Sequence, residues 1–399
     1  MRSTTRAAAA LLSAGLSLTN AAPCAQPSQL YVATYPAVEG TVGGITAFTL
    51  GTNTLTKGAK SDSCGAYPSW ITFGNKNQLY CVNEAWPSPN GDFYSIKASE
   101  DGTLTRLSGA PTHGGPVSVV LYGPGNAGAA VADYAAGGIN TFAVENPSEV
   151  VALEDKTFPA PTEAGATDAQ KQARPHQAVL DPTGQFLVFP DLGSDLIRVF
   201  KADGTTLKLS EKESLKLVRG TGPRHATFFK GTDKTYLYLL NEIANTLKVF
   251  TVTYNDDESL GFSEIYSESS HGPGQSTAAG TAAAEITLSP DNKFVTLSSR
   301  LENSQEYTLL NGTTIKSDPL ITYSLDAATG LPTHVQTTAA GGYNPRHFSF
   351  NKAGTLVASA LQAEGRIIVF ERDVASGKIG KAIAEANIEG LPNFITFRE

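Results

Sequence analysis

A short pattern of residues recurs along the chain, and it limits the available folds more than any other feature of the sequence. The pattern is a proline, an apolar run, a turn rich in Asp, Pro or Gly, and a second apolar run. It is clearest over residues 174–200, where three strand-like runs alternate with two turns. Seven copies of the first run start at or near the following residues: Pro68, Pro116, Arg174, Pro223, Ala284, Pro345 and Pro392.

The two ends of the chain carry complementary halves of this unit. Residues 392–397 form a first run with no second run after it, whereas residues 29–35 resemble a second run with no first run before it. The spacing between copies, roughly 50 to 60 residues, is typical of propeller blades. The sequence therefore predicts an all-β fold, a seven-bladed β-propeller in which N- and C-terminal strands close one blade. The alternative, an open pair of β-sandwich sheets, would not need complementary halves at the ends.

The N-terminal residues differ in composition from the rest of the chain. Two arginines precede an apolar stretch over residues 7–18, and alanines follow it. This order predicts a secretory signal peptide over residues 1–22, too short for a membrane span, followed by one propeller domain over residues 23–399. No later stretch approaches the apolar length that a span requires. We therefore expect a secreted protein, extracellular or associated with the cell wall.

Export predicts two covalent modifications. Asn311 is followed by Gly and Thr in a polar segment, which makes it an acceptor for an N-linked glycan. Cys64 precedes a first run and Cys81 lies in the neighbouring second run, so a disulfide between them is favoured on proximity. Cys24 is an alternative partner for Cys64, and either pairing leaves one free thiol.

The charge balance excludes one class of partner. The formal charge is −8, from 38 acidic and 30 basic residues, and no basic run is present, which argues against nucleic-acid binding.

The cysteines and histidines form no cluster with metal-ligand spacing. Residues 123–128 match the glycine spacing of a dinucleotide-binding loop, but they join two predicted strands and no helix follows. We interpret this segment as a hairpin turn.

The predicted propeller gathers arginines at one end of its central channel. Adjacent strands of a blade are antiparallel, so first strands begin where second strands end, and first strands are innermost. Guanidinium groups bind carboxylates and phosphates in bidentate fashion, and a concave mouth focuses their positive potential. We therefore expect a small anionic ligand; the alternative is that each arginine pairs with a glutamate or caps loop carbonyls. Four of the twelve arginines lie at this rim, with other polar residues: Arg174, Arg224, Arg300 and Arg346, with Glu84, Glu285 and Gln362.

His176 and Glu242 are the candidates for proton transfer, because both fall on the same rim and both titrate. The alternative is that His176 is a hydrogen-bonded structural residue. His225 and His347 each follow an arginine directly along a strand. Alternation of side chains predicts that both point to the opposite side, as packing residues between sheets.

Two long irregular segments interrupt the repeat, over residues 155–173 and 267–283. Loops of this length inside a compact domain are usually lids or disordered segments. Both run directly into a first strand, so we expect both to overhang the same mouth.

Several of these motifs resemble the seven-bladed lactonase family. That family contains cofactor-independent 6-phosphogluconolactonases and the fungal-type 3-carboxy-cis,cis-muconate lactonizing enzymes, and the chain is most similar to the latter branch. The resemblance implies that His176, Arg224, Glu242 and Arg300 are catalytic, and Arg174, Arg346 and Gln362 are assigned to substrate binding with them. The motifs are Arg174-Pro-His176, Gly222-Pro-Arg-His225, Leu240-Asn-Glu242, Ser299-Arg300 and Asn344-Pro-Arg346.

The resemblance also implies a reaction. In a carboxymuconate cyclase, Arg224 and Arg300 would hold carboxylates while an internal carboxylate adds to a double bond, and His176 or Glu242 would protonate the carbon. In a lactone hydrolase, His176 or Glu242 would activate water. Neither reaction requires a metal or an organic cofactor. Because both are intracellular steps and the chain carries a predicted export signal, action on another lactone, or a non-enzymatic role as a surface glycoprotein, are further alternatives.

Overall fold

The computed structural model describes residues 28–38, 40–75 and 77–398, and they form seven four-stranded antiparallel sheets arranged as the blades of a propeller. Blade 1 combines β1 (Ser28–Tyr35), β2 (Gly44–Leu50) and β3 (Leu55–Ser61) with β30 (Leu391–Arg398). Blade 2 consists of β4 (Pro68–Phe73), β5 (Gln78–Asn83), β6 (Asn90–Ala98) and β7 (Leu104–His113). Blade 3 consists of β8 (Pro116–Tyr122), β9 (Gly128–Asp133), β10 (Gly138–Ala143) and β11 (Val151–Thr157).

The remaining four blades repeat this order. Blade 4 contains β12 (Val179–Leu180), β13 (Phe186–Asp191), β14 (Leu196–Ala202) and β15 (Leu209–Lys216). Blade 5 contains β16 (Pro223–Lys230), β17 (Thr235–Asn241), β18 (Thr246–Tyr254) and β19 (Leu260–Ser269). Blade 6 contains β20 (Ala282–Leu288), β21 (Phe294–Arg300), β24 (Pro319–Leu325) and β25 (Pro332–Ala339), and a separate hairpin joins β22 (Gln305–Thr308) to β23 (Thr314–Ser317). Blade 7 contains β26 (Pro345–Phe350), β27 (Leu356–Leu361), β28 (Arg366–Arg372) and β29 (Ile379–Asn387).

The position of a strand within its blade explains its composition. Second strands such as β5, β9 and β13 are buried at every residue, because a neighbouring blade covers each of their faces. Fourth strands such as β7 are mostly exposed and carry polar residues, which protect an outer sheet edge from pairing with other chains. The core therefore consists of apolar layers between successive blades. One such layer packs Leu30, Val32 and Phe48 of blade 1 against Ala360 and Val369 of blade 7.

The predicted closure of the ring is confirmed. Strand β1 pairs with β30 in antiparallel register, from Gln29 opposite Arg398 to Tyr35 opposite Leu391. The Arg398 guanidinium strengthens the end of this pairing, since its Nη1 donates to Oε1 of Gln29 at 2.7 Å. The inner strand of blade 1 thus comes from the C-terminal end of the described chain, while the other three strands come from its N-terminal end.

Several finer predictions can be compared with the structure. The disulfide joins Cys64 to Cys81, while Cys24 and the predicted signal peptide lie outside the described residues. Asn311 is exposed in the turn between β22 and β23, a hairpin that the repeat did not predict. The turn over residues 123–128 contains a short 3₁₀ segment (Pro124–Asn126) between β8 and β9, as expected for a hairpin connection.

Both long segments are shorter than predicted, because their first residues extend the outer strands β11 and β19. The first then continues through a 3₁₀ turn (Asp168–Lys171) to blade 4, and the second leads to blade 6. Each enters its blade at the rim where inner strands begin, so both segments border the same end of the channel.

Closure makes a direct prediction about folding. Deleting residues 391–398 leaves β1 without its inner partner and exposes the apolar faces of blades 1 and 7. We expect the truncated chain to lose the cooperative thermal transition of the full chain, followed by circular dichroism. An unchanged melting curve would show that the ring does not depend on this pairing.

Candidate active site

The inner strands begin with a β-bulge, and this irregularity builds the site. In blade 5 the ladder shifts register between Pro223 and His225, so Arg224 has no partner residue on β17. A bulge sets two residues of one strand opposite one residue of its neighbour and re-aims the side chains there. The same shift occurs in blades 2, 3 and 7 and in β30, and residues 176–178 and 283–286 are irregular at the same place in blades 4 and 6.

The bulge brings two successive side chains of one strand to the same cavity. Arg224 and His225 both line it, as do Arg346 and His347. The prediction that His225 and His347 point away from their arginines is therefore wrong, because alternation of side chains does not hold across a bulge. Tyr35, Trp70, His176, Glu285 and Asn393 also contribute to the lining of this cavity.

Arg224, Arg300 and Glu242 form one ionic cluster. The Oε2 atom of Glu242 lies 2.9 Å from Nε of Arg224 and 3.1 Å from Nη2 of Arg300. Arg224 also donates to the carbonyl of Ala284 at 2.7 Å, and Arg300 donates to the carbonyl of Ala282 at 3.2 Å. Two buried guanidinium groups thus share one carboxylate, which leaves one positive charge in excess.

The same cluster sets the acidity of its members. Burial raises the pKa of Glu242, but the charges of Arg300, Arg224 and Arg346 outweigh burial and lower it below its ordinary value. Burial, together with repulsion from Arg300 and Arg346, lowers the pKa of Arg224 to about 9. At neutral pH, Glu242 is therefore ionised and a weak base, and Arg224 remains a cation.

Arg346 provides guanidinium donors that no group in the described part of the chain occupies. Among the described residues, its side chain forms no hydrogen bond or ion pair, although it lines the cavity beside Arg224. The nearby Tyr35 hydroxyl donates instead to Glu84 at 2.5 Å. Burial lowers the pKa of Arg346, but Tyr35, Glu84 and Glu242 outweigh it and the net effect is to raise the pKa. The side chain is therefore a permanent cation with donors available for an anionic ligand.

Three histidines and a glutamate form the buried wall of the cavity. Nδ1 of His176 lies 3.1 Å from Nε2 of His225, whose Nδ1 lies 3.1 Å from both carboxylate oxygens of Glu285. Nε2 of His347 lies 3.4 Å from Glu285 on another side. The Trp70 ring packs edge-on against His225 and His347, with centroid distances of 5.6 and 5.4 Å.

Burial controls the protonation of this wall. Burial, followed by the charge of Arg224, lowers the pKa of both His176 and His225 well below the ordinary value. Burial also lowers the pKa of His347 to about 4, although Glu285 opposes the shift. The pKa of Glu285 is raised by burial, and His347 and Arg224 offset part of the increase. All three imidazoles are therefore neutral at pH 7.

Two predicted binding residues lie outside this arrangement. Arg174 donates through Nε to the carbonyl of Ala169 at 2.7 Å and through Nη1 to that of Tyr134 at 3.3 Å, with its guanidinium 4.5 Å from the Tyr134 ring centroid. It therefore holds the segment before blade 4 in place, as the loop-capping alternative describes. Gln362 donates its backbone N–H to the Asn344 carbonyl at 2.9 Å, and its side chain forms no hydrogen bond with the described residues.

Sequence reasoning placed Glu285 and Glu84 on the rim without a role, and it missed Tyr35, Trp70 and Tyr134. Tyr134 directly follows the last residue of β9, just as Glu242 directly follows the last residue of β17. Tyr35, the last residue of β1, holds the equivalent position in blade 1. Comparing this position across the repeats was the available signal. No comparable signal marks Trp70, because apolar residues are frequent in first strands.

The described ranges contain neither a cluster of metal-binding side chains nor a membrane-spanning helix. No group of three or more His, Cys, Asp or Glu residues there is arranged to hold a metal ion. No helix within those ranges has the length and apolar character needed to cross a bilayer.

Comparison with known proteins gives a consistent result. A family model described as "Lactonase, 7-bladed beta-propeller" matches residues 29–396. A probable 6-phosphogluconolactonase from Arthroderma benhamiae is 32% identical over 314 residues, which cover 78% of this chain and 75% of that protein. A 6-phosphogluconolactonase from Bacillus subtilis is 25% identical over 352 residues, covering 88% and 92%.

Solved structures agree on the fold. A putative 6-phosphogluconolactonase from Bacteroides fragilis has a TM-score of 0.77 at 23% identity, covering 95% of this chain and 100% of that chain. A periplasmic gluconolactonase from Pseudomonas aeruginosa has a TM-score of 0.76 at 23% identity, covering 93% and 99%.

The Glu242 carboxylate, which two arginines share, should contribute more to stability than a carboxylate in a single ion pair. Replacing Glu242 with Gln removes the one anion that contacts Arg224 and Arg300 within the described chain, so we expect the free energy of unfolding to fall by about 3 kcal/mol in urea titrations. Glu364→Gln is a matched control, because Glu364 is similarly exposed but pairs only with Arg366. Its loss should stay below about 1 kcal/mol. Equal losses in the two variants would contradict the role of Glu242.

The buried histidines predict a pH dependence of stability. In the unfolded chain a histidine has a pKa of about 6.5. The folded values are lower, so the unfolded chain binds more protons below that pH and stability falls as pH falls. The upper limit for three histidines is about 4 kcal/mol per pH unit, and the raised pKa of Glu285 offsets part of it.

Urea midpoints measured from pH 7.5 to 5 should therefore decline, with the decline beginning near pH 6.5. His347→Gln should reduce the dependence of the unfolding free energy on pH by up to about 1.4 kcal/mol per pH unit. A flat profile between pH 7 and 5 would mean that these imidazoles titrate normally.

Proposed function

Since the chain belongs to the seven-bladed β-propeller lactonase family, we propose that it hydrolyses a small anionic lactone, with 6-phosphogluconolactone as the first candidate. The observation that carries this proposal is the convergence of His176, Arg224 and Arg346 on one cavity. The names of its relatives favour hydrolysis over the muconate cyclisation that the sequence suggested.

Arg346 is the proposed anchor for the anionic group of the substrate. No side chain or carbonyl within residues 28–38, 40–75 and 77–398 occupies its donors, and a guanidinium can form two parallel hydrogen bonds to a phosphate or carboxylate. Arg224 lines the same cavity and carries the excess charge of its cluster with Arg300 and Glu242. We assign Arg224 to the negative oxygen that develops when water attacks the lactone carbonyl, since fixed positive charge stabilises such an oxyanion.

His176 is better suited than Glu242 to accept the proton of the attacking water. Glu242 is held by two arginines, and its lowered pKa makes it a weak base. His176 is neutral at pH 7, and its Nε2 forms no hydrogen bond with the described residues. Glu242 then acts by holding Arg224 and Arg300 in place. His176 is the proposed general base.

We further propose that the chain acts after export. The support is the composition of residues 1–22 and the exposed acceptor site at Asn311. A similar fold belongs to a protein described as a periplasmic gluconolactonase, so a lactonase propeller outside the cytoplasm has a precedent. An exported enzyme meets lactones without phosphate as well, and δ-gluconolactone is therefore the second substrate to test.

Cyclisation of 3-carboxy-cis,cis-muconate is the second candidate reaction. Three guanidinium groups, those of Arg224, Arg300 and Arg346, occur within or beside one cavity, a number that matches three carboxylates. His176 would then protonate the carbon next to the new ring bond. Two readouts distinguish the reactions. Cyclisation removes the ultraviolet absorbance of the diene, whereas hydrolysis of a lactone releases acid.

We expect the purified chain to hydrolyse 6-phosphogluconolactone faster than the spontaneous reaction, measured by acid release. Arg346→Gln removes charged hydrogen bonds worth about 1.5 to 3 kcal/mol, so KM should rise by about 10- to 150-fold with kcat little changed. The same variant should bind δ-gluconolactone normally. His176→Asn should lower kcat by about 100-fold or more with either lactone.

Arg106→Gln, on the outer strand of blade 2, is the control and should behave as wild type. Turnover of the muconate alone would establish the second candidate instead. Failure of wild type with all three compounds would leave a propeller whose role is binding.

A further inference from the structure

Three side chains from consecutive blades form a continuous chain of contacts behind the proposed base. His176 of blade 4 contacts His225 of blade 5, and His225 contacts Glu285 of blade 6. We infer that Glu285 and His225 form a buried proton-sharing pair that orients His176 and stabilises its protonated form during turnover. This inference rests on the proposed lactonase function. It assigns positioning roles to His225 and Glu285, to which that proposal gave no role.

Arg224 determines which nitrogen of His225 carries the proton. Nη1 of Arg224 lies 3.2 Å from Nε2 of His225, and a guanidinium has only donors to offer. Nε2 of His225 is therefore an acceptor, and its proton resides on Nδ1, which faces the Glu285 carboxylate at 3.1 Å. A carboxylate that accepts this proton fixes both the tautomer and the orientation of the ring.

The same reasoning then orients His176. Its Nδ1 lies 3.1 Å from the acceptor Nε2 of His225, so Nδ1 of His176 is the donor. The lone pair of His176 is consequently on Nε2, the nitrogen without a partner in the described chain. The backbone of His176 is fixed as well, because its N–H donates to the Pro190 carbonyl at 2.8 Å. The contacts thus present a basic nitrogen to the ligand cavity.

Hydrogen bonds fix the position of Glu285, whose carboxylate is available to neutralise the charge of a protonated histidine. Its Oε1 accepts the N–H of Ile286 at 2.9 Å, its backbone N–H donates to Ser298 at 3.0 Å, and its carboxylate is buried. The other carboxylate near the histidines, Glu242, is already shared by two arginines. Glu285 is therefore the anion that contacts the histidine chain directly.

The charged groups around the three histidines either favour or disfavour the protonated imidazoles. His176 faces Arg224, Arg346 and His225, which all disfavour an imidazolium, and the ring of Tyr134 packs edge-on against it. His225 faces Arg224, Arg346 and Arg300, with Glu242 acting in the opposite direction. His347 contacts the far side of Glu285 and is faced by Arg224. Cations dominate this environment, so removing the Glu285 charge should be felt at His176.

Hydrolysis moves one proton from water to His176 and back to the leaving oxygen. The oxygen of water forms a bond to the lactone carbonyl carbon while the carbonyl π electrons move onto oxygen, which gives an oxyanion beside Arg224. One proton of this water passes to Nε2 of His176, whose Nδ1–H shifts toward His225 as the Nδ1–H of His225 shifts toward Glu285. The oxyanion then re-forms the carbonyl as the bond between the carbonyl carbon and the ring oxygen breaks, and the released alkoxide takes the proton back from Nε2 of His176. The product hydroxy acid loses its carboxyl proton to solvent.

Glu285→Gln tests this role because it removes the charge while keeping a side chain of the same size. We expect kcat for the lactone to fall by about 100-fold. KM should change by less than about 3-fold, because Glu285 acts through His225 rather than on the substrate. The acid limb of the kcat profile should move to lower pH, since His176 loses the anion that favours its protonated form. A purely structural role would lower kcat without moving that limb.

Glu302→Gln is the matched control. Glu302 contacts His271 at 3.1 Å and is similarly buried, but the pair lies outside the histidine chain. This variant should keep the wild-type kcat and acid limb. Wild-type kcat and an unmoved acid limb in Glu285→Gln would overturn the inference.

Nitrogen-15 NMR of the imidazoles provides a readout that needs no turnover. In wild type we expect His225 to be protonated on Nδ1 and not on Nε2, and the pKa of His176 to fall in Glu285→Gln. If wild type hydrolyses no lactone but both NMR results hold, the proposed function fails and the proton-sharing pair stands. If His225 carries its proton on Nε2, the inference fails, whether or not Glu285→Gln folds.

Discussion

The β-bulge with which the inner strands begin is the constraint on which the candidate site depends. Side chains alternate between the two faces of a regular strand, so an inner strand would turn only every second residue toward the axis. The extra residue lets neighbours such as Arg224 and His225 line one cavity. Proline directly before the bulge suits this geometry, because it occupies the first position of a strand and has no N–H to offer the ladder. Repetition of the bulge around the ring concentrates functional groups at one end of the channel.

Concentrating charge in a buried place is costly, and the structure limits the cost in two ways. Glu242 neutralises one charge of the arginine pair, while main-chain carbonyls accept hydrogen bonds from both guanidinium groups. The histidines remain neutral, so their rings can be buried among cations without further counter-ions. The apolar layers between blades supply the stability against which these costs are set.

Repetition made the fold predictable, and irregularity made the site harder to predict. Complementary half-units at the two ends specified closure of the ring, and strand order alone placed Arg224, Glu242 and Arg300 at one rim. A bulge adds a single residue to a strand and leaves the apolar pattern nearly unchanged, so the orientation of His225 was assigned wrongly. Arg174 precedes the proline of its repeat, whereas Arg224 and Arg346 follow theirs, and this difference in order was not used. The packing of the segment before blade 4 shows that carbonyl groups occupy donors of Arg174.

The way in which the ring closes also affects when the site comes into existence during synthesis. Strand β30 is the last of the propeller to leave the ribosome, yet it contributes directly to the site. Asn393 lines the cavity, the Phe394 ring stacks on His347 at 3.9 Å, and the N–H of Ile395 donates to Nδ1 of that histidine at 3.3 Å. A nascent or prematurely terminated chain therefore cannot assemble the complete wall of the cavity, whatever number of blades it has folded. The wall of the cavity is complete only after β30 has been synthesised and has paired with β1.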